Sequence, residues 1–185
     1  MAGVPRVFLA LSLVATASAA CLRSPAALAA PQQRHHVILR LRGGDDDAEV
    51  EHTFAMIKPD VASNEEAVAA IKAQILGAGL TIEREERCRL SQSLCETFYE
   101  EHKERPFFGG LVEFMSSGPV IKLELAGPDA IKTWRGLIGP TNSDKAREEA
   151  PDSVRALFGA DGQRNAAHGS DAPESAAREL GLMFA

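Results

Sequence analysis

From Arg164 to Leu180 the chain reads Arg-Asn-Ala-Ala-His-Gly-Ser-Asp-Ala-Pro-Glu-Ser-Ala-Ala-Arg-Glu-Leu. The stretch sets one histidine, His168, at the end of a short apolar run, ahead of a Gly-Ser-Asp turn and an alanine-rich helix. A histidine held this way by its surroundings can serve as a nucleophile. To attack a phosphorus atom the imidazole must be neutral, with the lone pair of one ring nitrogen free. The other nitrogen must donate to an acceptor that fixes the tautomer and the ring angle. Glu179 stands eleven residues later, on the face of the last helix that can turn back toward the strand end. Asp171 and Glu174 make an Asp-x-x-Glu helix start, so a capping role competes with a catalytic one for both.

The elements that must position these groups follow from pattern. Strands are predicted over 52–57, 80–90, 119–125 and 164–167, the first closed by Lys58-Pro59-Asp60. Asn64 can cap a helix over 65–76, whose Val68, Ile71 and Ile75 recur at spacings of three and four. Further helices are predicted over 91–103, 110–115, 129–137, 153–158 and 173–183. Without the accessory helices the order is β-α-β-β-α-β, the ferredoxin-like unit. The expected fold is α+β, a four-stranded antiparallel sheet with helices on one face. There is no Gly-x-x-x-x-Gly-Lys loop, and Gly77-Ala78-Gly79 lacks the third glycine and the following helix of a dinucleotide fingerprint.

Asn165-Ala-Ala-His168-Gly169-Ser170-Asp171 resembles the Asn-x-x-His-Gly-Ser/Thr-Asp signature of nucleoside diphosphate kinases, and the likeness extends from His52 to Ala185. The resemblance implies an activity: transfer of the γ-phosphate of ATP, or another nucleoside triphosphate, to a nucleoside diphosphate. The route would be ping-pong, through a phosphohistidine at His168. It gives Glu179 the orienting role, puts Ser170 near the same site, and sets Tyr99 beside the histidine. Arg135 and Arg155 would bind phosphates with Thr141, as planar forks suited to two oxygens. Lys58 would lie near the sugar 3′-hydroxyl and the transferred phosphate, and Asn165 would also contact the sugar. Phe107 would stack on the base, a contact that tolerates any base. Magnesium is implied on the nucleotide's own phosphate oxygens, since no carboxylate cluster has metal-ligand spacing.

The pattern departs from the commonest members in two places. Thirteen residues separate Thr141 from Arg155, a longer spacing than usual, and Pro140 stands where glutamate or alanine is common. The chain stops directly after its last predicted helix. This Gly-Pro-Thr-Asn pattern with a longer loop at 142–151 resembles the divergent branch of the family. It points to a homo-oligomer, dimeric or larger, in which any hexamer is weakened. A catalytically weak, nucleotide-sensing or regulatory member is the alternative reading.

Charge divides the chain. Residues 1–44 hold five arginines, no lysine and no carboxylate, while residues 45–185 hold 15 of the 20 bases and all 26 acids, a formal charge of −11. So acidic a domain lacks the broad basic face that nucleic acid requires. Residues 1–20 read as a signal peptide: Arg6, an apolar run from Val7 to Val14, and a small-residue Ala17-Ser18-Ala19 site. Residues 21–51 read as a transit-peptide-like leader and linker, and 52–185 as the kinase-like domain. The two-part leader resembles those of algal plastids of secondary origin, with plain secretion or another organelle as alternatives. No later segment is apolar enough for a membrane helix. Cys88 and Cys95 have no metal-type spacing and read as free thiols.

Overall fold

Five consecutive residues of the first strand, Thr53 to Ile57, are buried. Alternate side chains of a strand point to opposite faces, so a run of this kind requires cover on both. The computed structural model, which describes residues 49–185, shows such cover. The signal and leader assignments at 1–20 and 21–48 lie outside the described residues. The elements are β1 (Glu51–Ile57), α1 (Pro59–Ala62), α2 (Glu65–Gly77), β2 (Thr81–Arg89) and α3 (Gln92–Phe98). A 3-10 turn at Glu100–His102 and α4 (Phe108–Ser116) follow, then β3 (Pro119–Gly127) and α5 (Ala130–Ile138). The chain continues through α6 (Ser143–Glu149), α7 (Val154–Phe158), β4 (Ala167–Gly169) and α8 (Pro173–Met183). The sheet order is β2-β3-β1-β4, antiparallel throughout, which is the expected ferredoxin-like arrangement.

The expectation of helices on one face is corrected. On one side Ala55, Ile57, Ile121, Leu123 and Leu125 pack with Ile71 and Ile75 of α2 and Trp134 and Ile138 of α5. On the other, Phe54, Met56 and Val120 pack with Cys95 and Phe98 of α3, Leu111, Val112 and Met115 of α4, and Met183 of α8. Each fully buried isoleucine or leucine contributes roughly 1.5–3 kcal/mol relative to exposure. The accessory helices are therefore a second layer of the core. Among the described residues no helix is long and apolar enough to cross a membrane, and Cys88 and Cys95 are free thiols.

Local signals explain most boundaries. Asn64 Oδ1 accepts from the Ala67 amide at 3.1 Å and starts α2, as expected. Ser91 Oγ accepts from Leu94 N and Ser153 Oγ from Ala156 N, so these two serines cap α3 and α7. α8 spans the residues expected of it. Its N-cap, however, is Ala172 with no side-chain bond. Asp171 instead accepts from Ser175 Oγ at 2.6 Å, so the capping role considered for it is not the one it takes. β1 begins at Glu51, one residue before the expected domain start. The Glu51 carboxylate accepts from the Ile131 amide at 2.8 Å and meets the start of α5.

Three further expectations differ from the structure. The helix expected over 91–103 ends at Phe98, where Tyr99 leaves helical geometry and the chain tightens into the 3-10 turn. That turn brings the Tyr99 and His102 rings into a stack 6.4 Å apart. The segment expected as a loop at 142–151 holds α6, capped by Asn142 Oδ1 from the Asp144 and Lys145 amides. The last strand is Ala167–Gly169 instead of 164–167. Asn165 and Ala166 are withheld from the ladder by the loop that carries them. Ala166 adopts φ 67°, its amide donates to Asp60 Oδ2 at 3.0 Å, and its carbonyl accepts from Lys58 N at 2.8 Å.

β4 is locked to α5. Trp134 Nε1 donates to the His168 carbonyl at 3.0 Å, and Gly169 leaves room for the indole. A Cβ at Gly169 would lie 2.5 Å from both Trp134 Cδ1 and Nε1. Trp134 is fully buried and cannot yield cheaply. Gly169→Ala is expected to lower stability by about 1–3 kcal/mol, read as a fall in the urea midpoint. An unchanged midpoint would show that the indole repacks freely.

Candidate active site

His168 is the middle residue of β4, paired with Met56 on β1, and not a residue beyond a strand end. A backbone in a ladder fixes its Cβ direction, so the ring's place is set by the sheet. The ring stands edge-on to Phe98 at 5.1 Å between centroids and tilted to Phe54 at 6.0 Å. Its Nε2 lies 2.9 Å from Glu179 Oε2. A carboxylate oxygen only accepts, so Nε2 carries the hydrogen and the neutral ring keeps its lone pair on Nδ1. Nδ1 has no hydrogen-bond partner among the described residues.

Glu179 is 4% exposed, and its place on α8 aims it back at β4. Ser170 Oγ donates to the same Oε2 at 2.7 Å. Arg178 Nη2 lies 3.7 Å from Oε1, and its Cζ lies over the Phe98 ring, 5.9 Å from the centroid. The carboxylate is thus held from both oxygens, which leaves it little freedom to turn away from the histidine. Tyr99 also lines the cavity, its ring perpendicular to His168 at 6.4 Å. The Tyr99 hydroxyl is buried with no partner among the described residues. Burial foremost, then Cys95 and Glu179, push its pKa far up, so it remains a neutral donor.

His168 opens into a cavity of about 690 Å³. Ten of the residues singled out from sequence meet at this place. Lys58, Tyr99, Phe107, Arg135, Thr141, Arg155, Asn165, His168 and Glu179 line it, and Ser170 sits behind Glu179. Lys58 Nζ donates to Asn165 Oδ1 at 2.6 Å and to the Gln163 carbonyl at 3.3 Å. The Asn165 amide nitrogen donates to the carbonyls of Thr141 and Gly162. Burial, reinforced by the charge of Arg155, lowers the Lys58 ammonium to a pKa of about 8. It is still mainly protonated at neutral pH, and a bound phosphate would hold it so.

Arg155 is almost fully buried. Its Nη1 donates to the Gly139 carbonyl at 2.7 Å and its Nη2 to that of Ala167 at 3.1 Å, while Nε is buried without a partner. Burial first, then the charge of Arg135, lowers it to a pKa of about 10. Arg155 and Lys58, both depressed by burial and by a neighbouring arginine, mark a site built to receive negative charge. Arg135 is tethered more loosely, Nη1 to the Gly169 carbonyl at 3.3 Å. Phe107 stands at the mouth, 52% exposed, its ring 5.7 Å from that of His102. It presents an exposed apolar face beside the cavity.

The sequence reading missed Asp60, Gln163, His102 and Arg178. Asp60 is the acceptor that holds Ala166 in its left-handed turn, and its carboxyl is pushed up chiefly by burial. Gln163 Nε2 donates to the Gly110 carbonyl at 2.7 Å and ties the loop bearing Asn165 to α4. The Lys58-Pro59-Asp60 signal was legible as a strand stop, but its contact with residue 166 is not a local property. Arg178, next to Glu179 in the chain, carried no spacing signal of its own.

Comparison with known proteins gives the family of this domain. A family model described as nucleoside diphosphate kinase matches residues 51–185. The nucleoside diphosphate kinase of Aquifex aeolicus (strain VF5) is 47% identical over 135 residues, 73% of this chain and 94% of that one. Nucleoside diphosphate kinase homolog 7 of Rattus norvegicus is 50% identical over 134 residues, 72% of this chain. The matched region spans 33% of that relative, and the same share of its Mus musculus counterpart. A crystal structure of the Aquifex aeolicus enzyme superposes with a TM-score of 0.70 at 46% identity, covering 74% of this chain and 96% of that one. The nucleoside diphosphate kinase of Encephalitozoon cuniculi superposes with a TM-score of 0.67 at 34% identity, covering 71% and 87%. Over residues 51–185 this chain therefore belongs to the nucleoside diphosphate kinase family.

Proposed function

We propose that the protein is an active nucleoside diphosphate kinase that works by a ping-pong route through His168. The observation that carries the reading is the His168–Glu179–Ser170 chain, which leaves Nδ1 as the lone pair facing a cavity lined by Lys58, Arg135 and Arg155. In the first half-reaction Nδ1 attacks the γ-phosphorus of a nucleoside triphosphate. The P–N bond forms, and the bond to the bridging oxygen breaks with its electrons on the departing diphosphate. In the second, a terminal oxygen of another nucleoside diphosphate attacks the same phosphorus, and the P–N bond breaks with its electrons back on Nδ1. The ring becomes cationic when phosphorylated, and Glu179 balances that charge through Nε2–H. Lys58, Arg135 and Arg155 meet the spreading phosphoryl charge, which is where catalysis of phosphoryl transfer resides.

Phe107 offers its face to the base without reading its edge, so purines and pyrimidines are both accepted. Among the described residues no three histidine, cysteine or carboxylate side chains are grouped to hold a metal ion, and the cavity presents cations instead. Mg2+ fits as an ion carried in on the nucleotide's phosphate oxygens, where it would draw off charge. The rival reading, a nucleotide-binding or regulatory member with weak turnover, arises from the longer segment after Thr141. That segment folds as α6, and Thr141 and Arg155 on either side of it still line one cavity. The deciding experiment incubates the protein with γ-labelled ATP. Expected is an acid-labile, alkali-stable phosphoprotein that passes its label to GDP. A protein that binds ATP but takes no label would establish the regulatory reading.

The active unit is proposed to be a homodimer. Among the described residues β2 is an edge strand, largely exposed, and pairs only with β3. A nine-residue edge presents a row of unpaired backbone groups that a second copy can satisfy. Sedimentation over a concentration series is expected to show a dimer that persists on dilution, with any hexamer dissociating first. A monomer at micromolar concentration would defeat the proposal.

A further inference from the structure

The last turn of α8 carries no basic residue of its own. A helix end leaves carbonyls without intrahelical donors and gathers negative partial charge there. Two cations from other elements meet that charge. Lys122 on β3 donates Nζ to the Met183 carbonyl at 2.6 Å, and Arg84 on β2 donates Nη2 to the Phe184 carbonyl at 3.1 Å. Both also face the Phe184 ring, Arg84 Cζ at 4.1 Å and Lys122 Nζ at 5.1 Å from its centroid. Lys122 is 6% exposed, and Glu86 supplies its counter-charge at 2.9 Å. Burying an ammonium is costly unless it is paired and fully hydrogen-bonded. A lysine beneath α8 therefore calls for a reason beyond packing.

The strand register supplies one. Glu86 pairs with Lys122, Lys122 with Met56, and Met56 with His168. These four residues form one row across the sheet, with side chains on the same face. α8 crosses that row. Glu179 reaches His168, and Met183, one helical turn further on, is gripped by Lys122. The Phe54 ring closes the space between, 6.0 Å from His168 and 6.2 Å from Phe184. Fixing the far end of a single turn limits how α8 can slide or rotate over the strands, and so limits where the Glu179 carboxylate can sit.

We infer that Lys122, assisted by Arg84, is a positioning residue of the phosphotransfer site: its grip on the last turn of α8 holds Glu179 against His168. The inference rests on the proposed phosphotransferase reading only for its kinetic consequences. The test compares the full-length wild type with Lys122→Met, Lys122→Arg and Arg84→Gln by two readouts. The first is nitrogen NMR of the His168 ring, which reports which nitrogen carries the proton. The wild type is expected to show a single Nε2–H form. Lys122→Met, which keeps the stem and removes the donor, should show a mixture of tautomers. The second readout is the single-turnover rate of His168 phosphorylation. It should fall about tenfold in Lys122→Met, with KM for the nucleotide changed less than about twofold. Lys122→Arg should restore most of the rate. Arg84→Gln, on the exposed edge strand, should show a smaller shift of the same kind, and it decides the matter if Lys122→Met does not fold. A folded Lys122→Met, or in its place Arg84→Gln, with wild-type tautomer and rate would overturn the inference. A wild type that takes no phosphate would remove the proposed activity while the tautomer comparison still judges the latch.

Discussion

The His168→Ala variant is expected to fold and to form no phosphoenzyme, with transfer from ATP to GDP reduced by on the order of 10⁴-fold or more. The fold should survive because the structure uses the backbone of His168, not its ring. The Trp134 indole donates to its carbonyl, and the pairing with Met56 is a main-chain ladder. The ring itself gives up edge contacts to Phe98 and Phe54, a loss of about 1 kcal/mol. Glu179 keeps its hydrogen bond from Ser170 and does not become an orphaned buried charge. Nucleotide binding should persist, since Lys58, Arg135, Arg155 and Phe107 are untouched. Melting temperature, nucleotide affinity and pulse labelling with γ-labelled ATP check the three parts separately. Label that still accumulates on the folded variant would place the nucleophile elsewhere.

The sequence disclosed the elements whose cause is local. α2 was visible from a cap and a stripe of Val68, Ile71 and Ile75, and α8 from its proline start, and both spans agree closely with the structure. α6 was not visible. Its Ser-Asp-Lys-Ala-Arg-Glu-Glu has one apolar residue, Ala146, too few for any period. It is held by the Asn142 cap, by Ser143 Oγ bonding the Asp161 carbonyl, and by Arg147 reaching the Gly159 carbonyl. The start of β4 was misplaced for a related reason. Alternation cannot reveal that Asp60 and Lys58, more than a hundred residues earlier, take the backbone groups of Ala166. The second covered face could be inferred only from the unbroken burial of β1, which the apolar run hinted at but did not assign.

The site divides the same way. The type and setting of His168, with Glu179 eleven residues on, suggested the chemistry, and resemblance supplied the orienting role of Glu179 together with Lys58, Tyr99, Phe107, Arg135, Thr141, Arg155, Asn165 and Ser170. Convergence of all ten on one place is a property of the fold, since β1, α3, α5, α7, β4 and α8 each bring part of it. What no spacing could disclose were the supports: Asp60 under Ala166, Gln163 across to Gly110, and Lys122 beneath α8. Each joins residues far apart in the chain through one polar contact. Such contacts leave no period in the sequence.

The second large effect is expected from Glu179→Gln. The two side chains have nearly the same shape, so a buried site accepts the change with little repacking. The amide oxygen can take the place of Oε2 and still accept from His168 Nε2–H and Ser170 Oγ. The tautomer and ring angle are then kept. What is lost is the negative charge that balances the imidazolium as phosphate bonds to Nδ1. The amide nitrogen meanwhile falls where Oε1 was, facing Arg178 at 3.7 Å, donor against donor. Because the charge matters mainly as the ring becomes cationic, the loss belongs to the chemical step and not to binding. The phosphorylation rate is expected to fall about a hundredfold, with KM for the nucleotide little changed. Rapid-quench labelling separates the two quantities. A folded Glu179→Gln enzyme within about threefold of the wild-type rate would show that Glu179 only orients the ring, and that its charge takes no part in the reaction.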